Sequence, residues 1–300
     1  MLAVTPDTTR LGWIGTGVMG RSMCSHLLKA GYQLSIYNRS AAKTEELIRA
    51  GAVGCTSPAE VAKQSDVVFS MVGYPTDVEQ VLLGEDGVLS GLRAGGVIVD
   101  MTTSKPGLAA RIAELAAAKG VHALDAPVSG GDIGAREARL SIMVGGEEEV
   151  FQALMPVWQL LGTTHVYHGP AGCGQHTKVV NQILIAASMV GLCEALLYAK
   201  QSGLDPERVL KSVSSGAAGS WSLSNLTPRI LKGDFNPGFF VDHIVKDLGI
   251  ALEESDRLGL KLEGLEHARK LYQYLQSMDR GQSGTQALIL ALAKINGVAW

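Results

Sequence analysis

The chain has 300 residues, of which 46% are hydrophobic and 18% charged, and its formal net charge is −3. This composition is typical of a globular protein with enough chain for two domains and argues against nucleic acid or an anionic membrane as the main partner. The four cysteines are widely spaced and form no CxxC pair or zinc pattern, so we expect reduced thiols and no metal site.

The N-terminal residues lack the apolar segment of a secretory signal, and the most apolar run, Ile183 to Cys193, is shorter than a membrane span. We therefore expect a cytoplasmic protein without membrane segments. The alternative is an organelle protein from which a transit peptide has been removed.

The first predicted element is a short apolar strand at Leu11 to Ile14, followed by a glycine-rich turn and a helix that ends near Gly31. Gly15, Gly17 and Gly20 have the GxGxxG spacing that binds the pyrophosphate of a dinucleotide at a helix N-terminus. This spacing alone is a weak signal in a glycine-rich chain, but the strand before it and the helix after it strengthen the prediction. The predicted cofactor-binding residues of the turn are Gly15, Thr16, Gly17, Val18, Met19 and Gly20.

Strand-like runs alternate with helical patterns along the first half of the chain. The predicted strands are 11–14, 34–37, 67–72, 97–100, 122–125, 141–145 and 165–167. The predicted helices after the first are 41–50, 76–83, 108–118 and 147–161. This alternation is typical of a parallel, doubly wound, Rossmann-type α/β sheet.

The pattern changes near Gly174, and every later element is predicted to be helical. One long helix, 175–202, is apolar on nearly every face, so we expect neighbouring helices or another subunit to bury it. The shorter helices that follow are 206–213, 221–231, 243–258, 262–277 and 285–296. We predict an NADP-binding domain at 1–173 and an all-α substrate and dimerisation domain at 174–300, in a homodimer or homotetramer.

The end of the second strand indicates which nicotinamide cofactor is used. An acidic residue that would bind the ribose hydroxyl of NAD is replaced here by Asn38, Arg39 and Ser40, with Lys43 one turn later. Arginine pairs with a phosphate, and the neighbouring amide and hydroxyl can donate hydrogen bonds to it. NADP is therefore the predicted cofactor, with NAD as a possibility, and the alternative is a solvated turn with an incidental arginine.

Two further segments carry candidate reactive groups. Ser129, Gly130 and Gly131 follow a predicted strand end and offer a hydroxyl and backbone N–H groups suited to a carboxylate, although spacing alone favours an ordinary turn. Lys178 begins the long apolar helix, with Asn181 and Gln182 on the same face. Burial lowers the pKa of a lysine toward that of a general acid or base, whereas the alternative is a lysine that extends to solvent at a helix end.

Four segments together resemble the signature segments of the β-hydroxyacid dehydrogenases. They are GTGVMGRSM from Gly15, DAPVSGG from Asp125, GCGQHTKVVNQ from Gly172 and KDLGIALE from Lys246. Their order and separation are similar to those of the family over essentially the whole chain, and GAAGSWS from Gly216 looks closest to the 3-hydroxyisobutyrate dehydrogenase-like branch. The family also includes tartronate semialdehyde reductases and glyoxylate/succinic semialdehyde reductases.

This resemblance implies a role for each matching residue. Lys178 is implied as the acid/base that protonates the carbonyl oxygen when hydride arrives. The substrate-binding residues implied are Ser129, Gly130, Gly131, Asn181, Gln182 and Trp221, of which Trp221 is as readily explained as a core aromatic. Val72 and Thr103 are implied beside the nicotinamide ribose, and Lys246 is implied to reach the cofactor from the second domain.

The sequence departs from the family pattern in three places. Thr16 stands where the family usually has Leu, Gln182 where it usually has Asn, and Ala138-Arg139-Leu140 where it commonly has Gly-Thr-Leu. We therefore predict an NADP-dependent enzyme that interconverts a small β-hydroxy acid and its semialdehyde. The alternatives are a glyoxylate or succinic semialdehyde reductase and a non-catalytic NADP-binding scaffold, while Lys178 argues against an imine reductase.

Overall fold

A computed structural model describes residues 4–300 of the chain. The chain forms two compact units, of which the first ends at Lys178 and the second runs from Val179 to Trp300. The division falls inside one continuous helix, Cys173–Gln201, five residues beyond the predicted boundary at 173. The roles predicted for the two domains stay predictions.

The first unit contains a six-stranded, fully parallel sheet, which confirms the Rossmann-type prediction. Its strands are β1 (Leu11–Ile14), β2 (Leu34–Tyr37), β3 (Val53–Gly54), β4 (Val67–Ser70), β5 (Val97–Asp100) and β6 (His122–Asp125). Their order in the sheet is β3-β2-β1-β4-β5-β6. The chain therefore leaves β1 toward β2 on one side and returns to β4 on the other, and the crevice at the carboxyl ends of β1 and β4 is where such sheets bind ligands.

Helices cover both faces of this sheet. They are α1 (Val18–Lys29), α2 (Glu45–Arg49), α3 (Pro58–Lys63), α4 (Pro75–Leu83), α5 (Val88–Gly91) and α6 (Pro106–Ala117). Side chains alternate between two cores along each strand, because successive strand residues point to opposite faces. Phe69 belongs to one core, where it stacks on Trp13 at 5.4 Å between ring centroids, and Val68 belongs to the other.

A second, three-stranded sheet follows in the first unit. It is built from β7 (Val128–Ser129), α7 (Gly131–Arg136), β8 (Leu140–Val144), α8 (Glu148–Ala153), α9 (Met155–Leu161) and β9 (Gly162–Tyr167). β7 pairs antiparallel with β8, and β8 pairs parallel with β9. The prediction that 141–145 and 165–167 continue the parallel sheet was wrong, because the chain reverses after β6 and β7 starts a new ladder.

The helix predicted at 147–161 is also divided in two, because Pro156 has no N–H to donate and is accommodated only in the first turn of α9.

The second unit is helical, as predicted. After α10 (Cys173–Gln201) come α11 (Pro206–Val213), α12 (Trp221–Leu231), α13 (Val241–Arg257), α14 (Glu263–Gln276) and α15 (Leu288–Ile295). The apolar faces of α10 and α12–α15 form one core around the buried ring of Tyr272. No β-strand occurs within residues 179–300.

α10 is not buried on every side within this chain. Val180, Leu184 and Tyr198 are 57%, 64% and 74% exposed. By length and composition alone α10 is apolar enough to cross a membrane, and 33% of its apolar 18-residue window is buried within the described structure. One such helix is weak evidence for a membrane span, because core helices of globular proteins have the same composition.

Candidate active site

The glycine turn between β1 and α1 has the geometry of a phosphate-binding loop. Gly15 has a φ of +95°, and a Cβ there would lie 2.2 Å from the carbonyl oxygen of Met71. A Cβ on Gly20 would lie 2.0 Å from the carbonyl oxygen of Gly15, so only glycine lets α1 start this close to the strand end. Gly17 is the N-cap residue, and no heavy atom among the described residues lies within 4 Å of the position its Cβ would take.

The first turn of α1 is open to an anion. Within residues 4–300, no side chain caps this helix and its first turn contains no acidic residue. Unpaired N–H groups and the helix dipole favour negative charge at this point. The turn therefore fits the pyrophosphate of a dinucleotide.

Two polar side chains hold the glycine turn in place. Asn38 accepts a hydrogen bond from the Thr16 N–H at 3.0 Å and donates one to the Ser40 carbonyl at 3.0 Å. The Thr16 hydroxyl, which is buried, donates to the Lys43 carbonyl at 3.0 Å. Thr16 and Asn38 thus connect the turn to the end of β2, and the hydrogen bond predicted from Asn38 to a phosphate stays a prediction.

Arg39 lies at the end of β2 with its side chain 84% exposed, beside the exposed residues Ser40 and Lys43. Its guanidinium makes an ion pair with Asp77 at 3.3 Å. An ion pair this exposed is weak, so it leaves the guanidinium available to a stronger anion.

A buried polar network lies at the carboxyl ends of β4 and β5. Asp100 accepts hydrogen bonds from the Ser70 hydroxyl at 2.8 Å and the Thr102 N–H at 3.1 Å. The Thr102 hydroxyl accepts from the Val72 N–H at 3.0 Å. The loops that carry Val72 and Thr103 are therefore joined through Thr102, and both of these residues are half-buried.

Burial raises the pKa of Asp100 to about 6, although the hydrogen bonds from Ser70 and Thr102 act in the opposite direction. The charge on Asp125, its neighbour in register on β6, raises this pKa further. Burial likewise raises the pKa of Asp125, against the effect of backbone hydrogen bonds that include those from Gly172 and Gln175.

Asp125 closes the start of α10. One carboxylate oxygen accepts from the Gly172 N–H at 2.7 Å and the other accepts from the Gln175 N–H at 2.8 Å. A Cβ on Gly174 would lie 2.4 Å from the Met143 carbonyl oxygen and 2.8 Å from the Asp125 carboxylate. The chain thus supplies its own anion to this helix, at a place that only glycine can fill.

The predicted carboxylate-binding turn follows β7. Ser129 is half-buried, and Gly130 and Gly131 have φ angles of +128° and +63°, which favour glycine. In the nearby loop, Ala138 has a φ of 54°. A left-handed φ costs an alanine about 1 kcal/mol of backbone strain, which a glycine would avoid.

Lys178 lies near the start of α10 and is 6% exposed. It is therefore not a lysine that extends into solvent. Three residues earlier, Gln175 is fully buried. Both residues are within the first unit.

Three of the remaining candidates, Asn181, Gln182 and Lys246, lie in the second unit and are connected by a row of polar contacts. The amide of Asn181 donates to Gln182 at 2.7 Å, and Gln182 donates to the carboxylate of Asp247 at 2.6 Å. Lys246 forms an ion pair with the other carboxylate oxygen of Asp247 at 2.8 Å. Gln182 and Asp247 are buried, so these hydrogen bonds fix the orientation of the Asn181 and Gln182 side-chain amides.

Trp221 is the first residue of α12 and is 59% exposed. The alternative of an ordinary core aromatic is therefore wrong. Its role as a wall of a substrate pocket stays a prediction.

Sequence reasoning assigned no role to six polar residues of these networks, namely Ser70, Asp100, Thr102, Asp125, Gln175 and Asp247. Asp100 is the last residue of a predicted strand, while Gln175 and Asp247 lie within the family-like segments. A polar residue in such a place was the signal by which these three could have been found.

Comparisons with known proteins agree with this geometry. The family model for the NAD binding domain of 6-phosphogluconate dehydrogenase matches residues 10–169, and that for NAD-binding of NADP-dependent 3-hydroxyisobutyrate dehydrogenase matches residues 172–292. This chain belongs to the β-hydroxyacid dehydrogenase family. It is an NAD(P)-binding oxidoreductase of that family, so the alternative of a non-catalytic scaffold loses its basis.

Individual members of the β-hydroxyacid dehydrogenase family are similar along almost their whole length. “Probable 3-hydroxyisobutyrate dehydrogenase-like 1, mitochondrial” of Arabidopsis thaliana is 53% identical over 297 residues, which are 99% of this chain and 89% of that protein. The 2-hydroxy-3-oxopropionate reductase of Escherichia coli is 40% identical over 283 residues, 94% of this chain and 97% of that protein. The crystal structure of 3-hydroxyisobutyrate dehydrogenase from Salmonella typhimurium has a TM-score of 0.85 at 27% identity, covering 94% of this chain and 99% of that one.

Proposed function

We propose that this β-hydroxyacid dehydrogenase prefers NADP and interconverts a small β-hydroxy acid and its semialdehyde, with Lys178 as the general acid/base. The observation that supports this most is the burial of Lys178, at 6% exposed, near the start of the helix that Asp125 and Gln175 hold against the strand ends. Burial disfavours the charged form of an amine in general, and a general acid or base that works near neutral pH needs such an environment.

When bound, the cofactor would supply or accept a hydride at its nicotinamide ring. In reduction, Lys178 Nζ donates a proton to the carbonyl oxygen of the substrate, and in oxidation it removes the proton from the hydroxyl. Ser129 and the N–H groups of Gly130 and Gly131 hold the substrate carboxylate. Asn181, Gln182 and Trp221 are proposed to bind the substrate, and Lys246 is proposed to bind the cofactor.

Replacing Lys178 tests the mechanism. Lys178→Met keeps the length of the side chain but not the proton, and we expect kcat to fall by about 100- to 10,000-fold. Lys178→Arg is the matched control, because it keeps the positive charge but does not release a proton at working pH. Turnover retained in the Met variant would overturn the mechanism, and turnover retained in the Arg variant alone would show that charge matters rather than proton transfer.

The proposed preference for NADP rests on Arg39 and on the absence of an acidic residue at 38–40. Arg39→Ala is expected to lower kcat/KM for NADPH by about 10- to 100-fold, because a charge-assisted hydrogen bond is lost, and to leave that for NADH unchanged. Asp77→Asn removes the ion pair that competes for Arg39 and should act in the opposite direction. Equal effects of Arg39→Ala on both cofactors would contradict the proposal.

The substrate is proposed from the relatives, whose names include 3-hydroxyisobutyrate dehydrogenase-like proteins and a 2-hydroxy-3-oxopropionate reductase. The alternative is a glyoxylate or succinic semialdehyde reductase. Measuring kcat/KM for 3-hydroxyisobutyrate, serine, tartronate semialdehyde, glyoxylate and succinic semialdehyde ranks them directly. A preference for glyoxylate or succinic semialdehyde would favour the alternative.

A homodimer or homotetramer is proposed from the exposed face of α10. Val180, Leu184, Ala187, Gly191 and Tyr198 are exposed at helical spacing and form one stripe with small residues at its centre. We expect a second copy of the chain to cover this stripe. Sedimentation of the wild type and of Leu184→Glu tests it, and a monomeric wild type at micromolar concentration would contradict it.

The proposed compartment is the cytoplasm. All four cysteines are free thiols, which fits a reducing environment.

A further inference from the structure

Gln175 is a fully buried polar side chain that the proposed mechanism does not use. Its side-chain oxygen accepts from the Ser104 N–H at 2.9 Å, and its side-chain nitrogen donates to the Thr102 carbonyl at 2.7 Å. These two backbone groups flank Thr103, in the loop that follows β5. A single amide that bonds on both sides of one residue fixes the distance and the orientation of that loop relative to α10.

The first turn of α10, which contains Gln175, is also held by Asp125, whose carboxylate accepts from the Gly172 and Gln175 N–H groups. The tight fit of Gly174 against the Met143 carbonyl leaves the turn no room to slide. The backbone of Gln175 is thus held by β6 and its side chain by the loop after β5. Interior groups packed in this way have one arrangement rather than a range.

Lys178 follows Gln175 by three residues, so the two lie one helical turn apart on neighbouring positions of the same face. We propose that Gln175 is a positioning residue for the reaction: it sets the turn that carries Lys178 against the loop that carries Thr103. This inference rests on the proposed role of Lys178. Because proton transfer requires near-contact geometry, a shift of about 1 Å in that turn lowers the rate by about 100-fold.

The test begins with Gln175→Met, which keeps the side-chain length but removes both hydrogen bonds. We expect kcat to fall by about 10- to 100-fold and the Kd for NADPH to rise by much less, since the glycine turn is untouched and only the loop that carries Thr103 is released. We also expect the solvent deuterium isotope effect on kcat to rise, because a misplaced amine makes proton transfer slower than the other steps. A purely structural role does not change that isotope effect.

Gln175→Glu gives a second, reversible measurement. A glutamate oxygen can still accept from the Ser104 N–H, but the other oxygen faces the Thr102 carbonyl and needs a proton to bond it. The ratio of variant to wild-type kcat is therefore expected to rise as the pH falls from 8 to 5. A ratio that does not depend on pH would contradict the proposal. This test remains available if the Gln175→Met variant does not fold.

The matched control is Gln286→Met in the second unit. Gln286 is equally buried, and its amide donates to the Asp234 and Asn236 carbonyls at 3.0 and 3.1 Å. We expect it to lower the Tm without raising the isotope effect. If Gln175→Met has the kcat and isotope effect of Gln286→Met, the positioning role is overturned.

Lys178→Met in the same assay separates this inference from the proposed function. A Lys178→Met enzyme that turns over at the wild-type rate overturns the proposed function, whatever Gln175 does. An inactive Lys178→Met enzyme together with a fully active Gln175→Met enzyme overturns only the positioning role.

Discussion

Two helices, α1 and α10, begin in the first unit beside the carboxyl ends of the central sheet, and their N-termini have opposite environments. α1 begins at Gly17, and among the described residues no side chain caps it. α10 begins with two N–H groups, those of Gly172 and Gln175, on the carboxylate of Asp125. The same unpaired N–H groups and the same helix dipole are present in both.

The difference shows how one backbone property serves two purposes. An uncapped N-terminus next to glycine is available to the phosphates of a bound dinucleotide, and it is less stable without them. An N-terminus filled by a buried carboxylate cannot take a substrate anion, but it has a fixed position, which suits a helix that carries Lys178. Ligand binding and rigid placement are thus divided between the two helices.

The largest effect is expected when a carboxylate is placed at the N-terminus of α1, which gives α1 the environment that α10 has. Gly17→Asp gives α1 a carboxylate of its own, as α10 has, and its Cβ meets no atom within 4 Å. The Kd for NADPH is expected to rise by about 100-fold or more, because like charges then meet at the phosphate site. The Tm without cofactor should not fall, since aspartate is a good N-cap residue.

Gly17→Asn is the control for Gly17→Asp, because it adds the same volume and a comparable cap without the charge. Fluorescence titration with NADPH measures both. Equal losses of affinity in the two variants would show that space, and not charge, controls the α1 site.

The reverse experiment removes the carboxylate from the start of α10. In the wild type the Gly172 and Gln175 N–H groups bond to different oxygens of Asp125. Asp125→Asn replaces one of these oxygens by an N–H₂ group, so one buried N–H donor loses its acceptor. We expect a loss of about 2–4 kcal/mol in the free energy of unfolding, measured by denaturant titration. A variant as stable as the wild type would mean that the carboxylate does not hold this helix.

Asp100→Asn is expected to have the opposite sign, although Asp100 lies beside Asp125. A single oxygen of Asp100 accepts both of its hydrogen bonds, and an asparagine oxygen can do the same. The pKa of Asp100 is raised to about 6, so the folded state holds this proton more tightly than the unfolded chain does. The wild type therefore loses stability as the pH rises from about 4 to about 6.

The asparagine variant lacks that loss. Relative to the wild type, Asp100→Asn is expected to gain about 1–3 kcal/mol in the free energy of unfolding as the pH rises through this window, with no further gain above it. Chemical denaturation of both proteins between pH 4 and pH 8 measures the difference. A difference that is constant with pH would show that Asp100 titrates normally.

The smallest effect is expected for the hydrogen bond that holds the glycine turn in place. Thr16→Val removes the hydroxyl that donates to the Lys43 carbonyl and keeps the shape of a buried side chain. We expect it to cost about 0.5–1.5 kcal/mol of stability, as one hydrogen bond does. Thr16→Ser, which keeps the hydroxyl, is expected to retain most of the affinity for NADPH that Thr16→Val loses, and equal affinities would assign no role to this bond.

Much of the fold follows from local pattern. Leu11–Ile14, Leu34–Tyr37, Pro206–Val213 and Trp221–Leu231 have the predicted bounds, because apolar runs bounded by glycine, proline or capping residues signal where they begin and end. The second sheet was missed, since β7 has only two residues and its partner lies 12 or more residues away. Pairing of that kind leaves no periodic signal in the chain.

The sequence by itself determined the glycine turn, the alternation of strands and helices, and the presence of Lys178 in an apolar helix. These depend on spacing and on side-chain chemistry, which are local properties. Only the tertiary structure decided that Asp125 fills the start of α10 and that Gln175 bonds on both sides of Thr103. Those contacts join residues 47 to 73 positions apart, and their strength comes from burial, which no stretch of sequence determines alone.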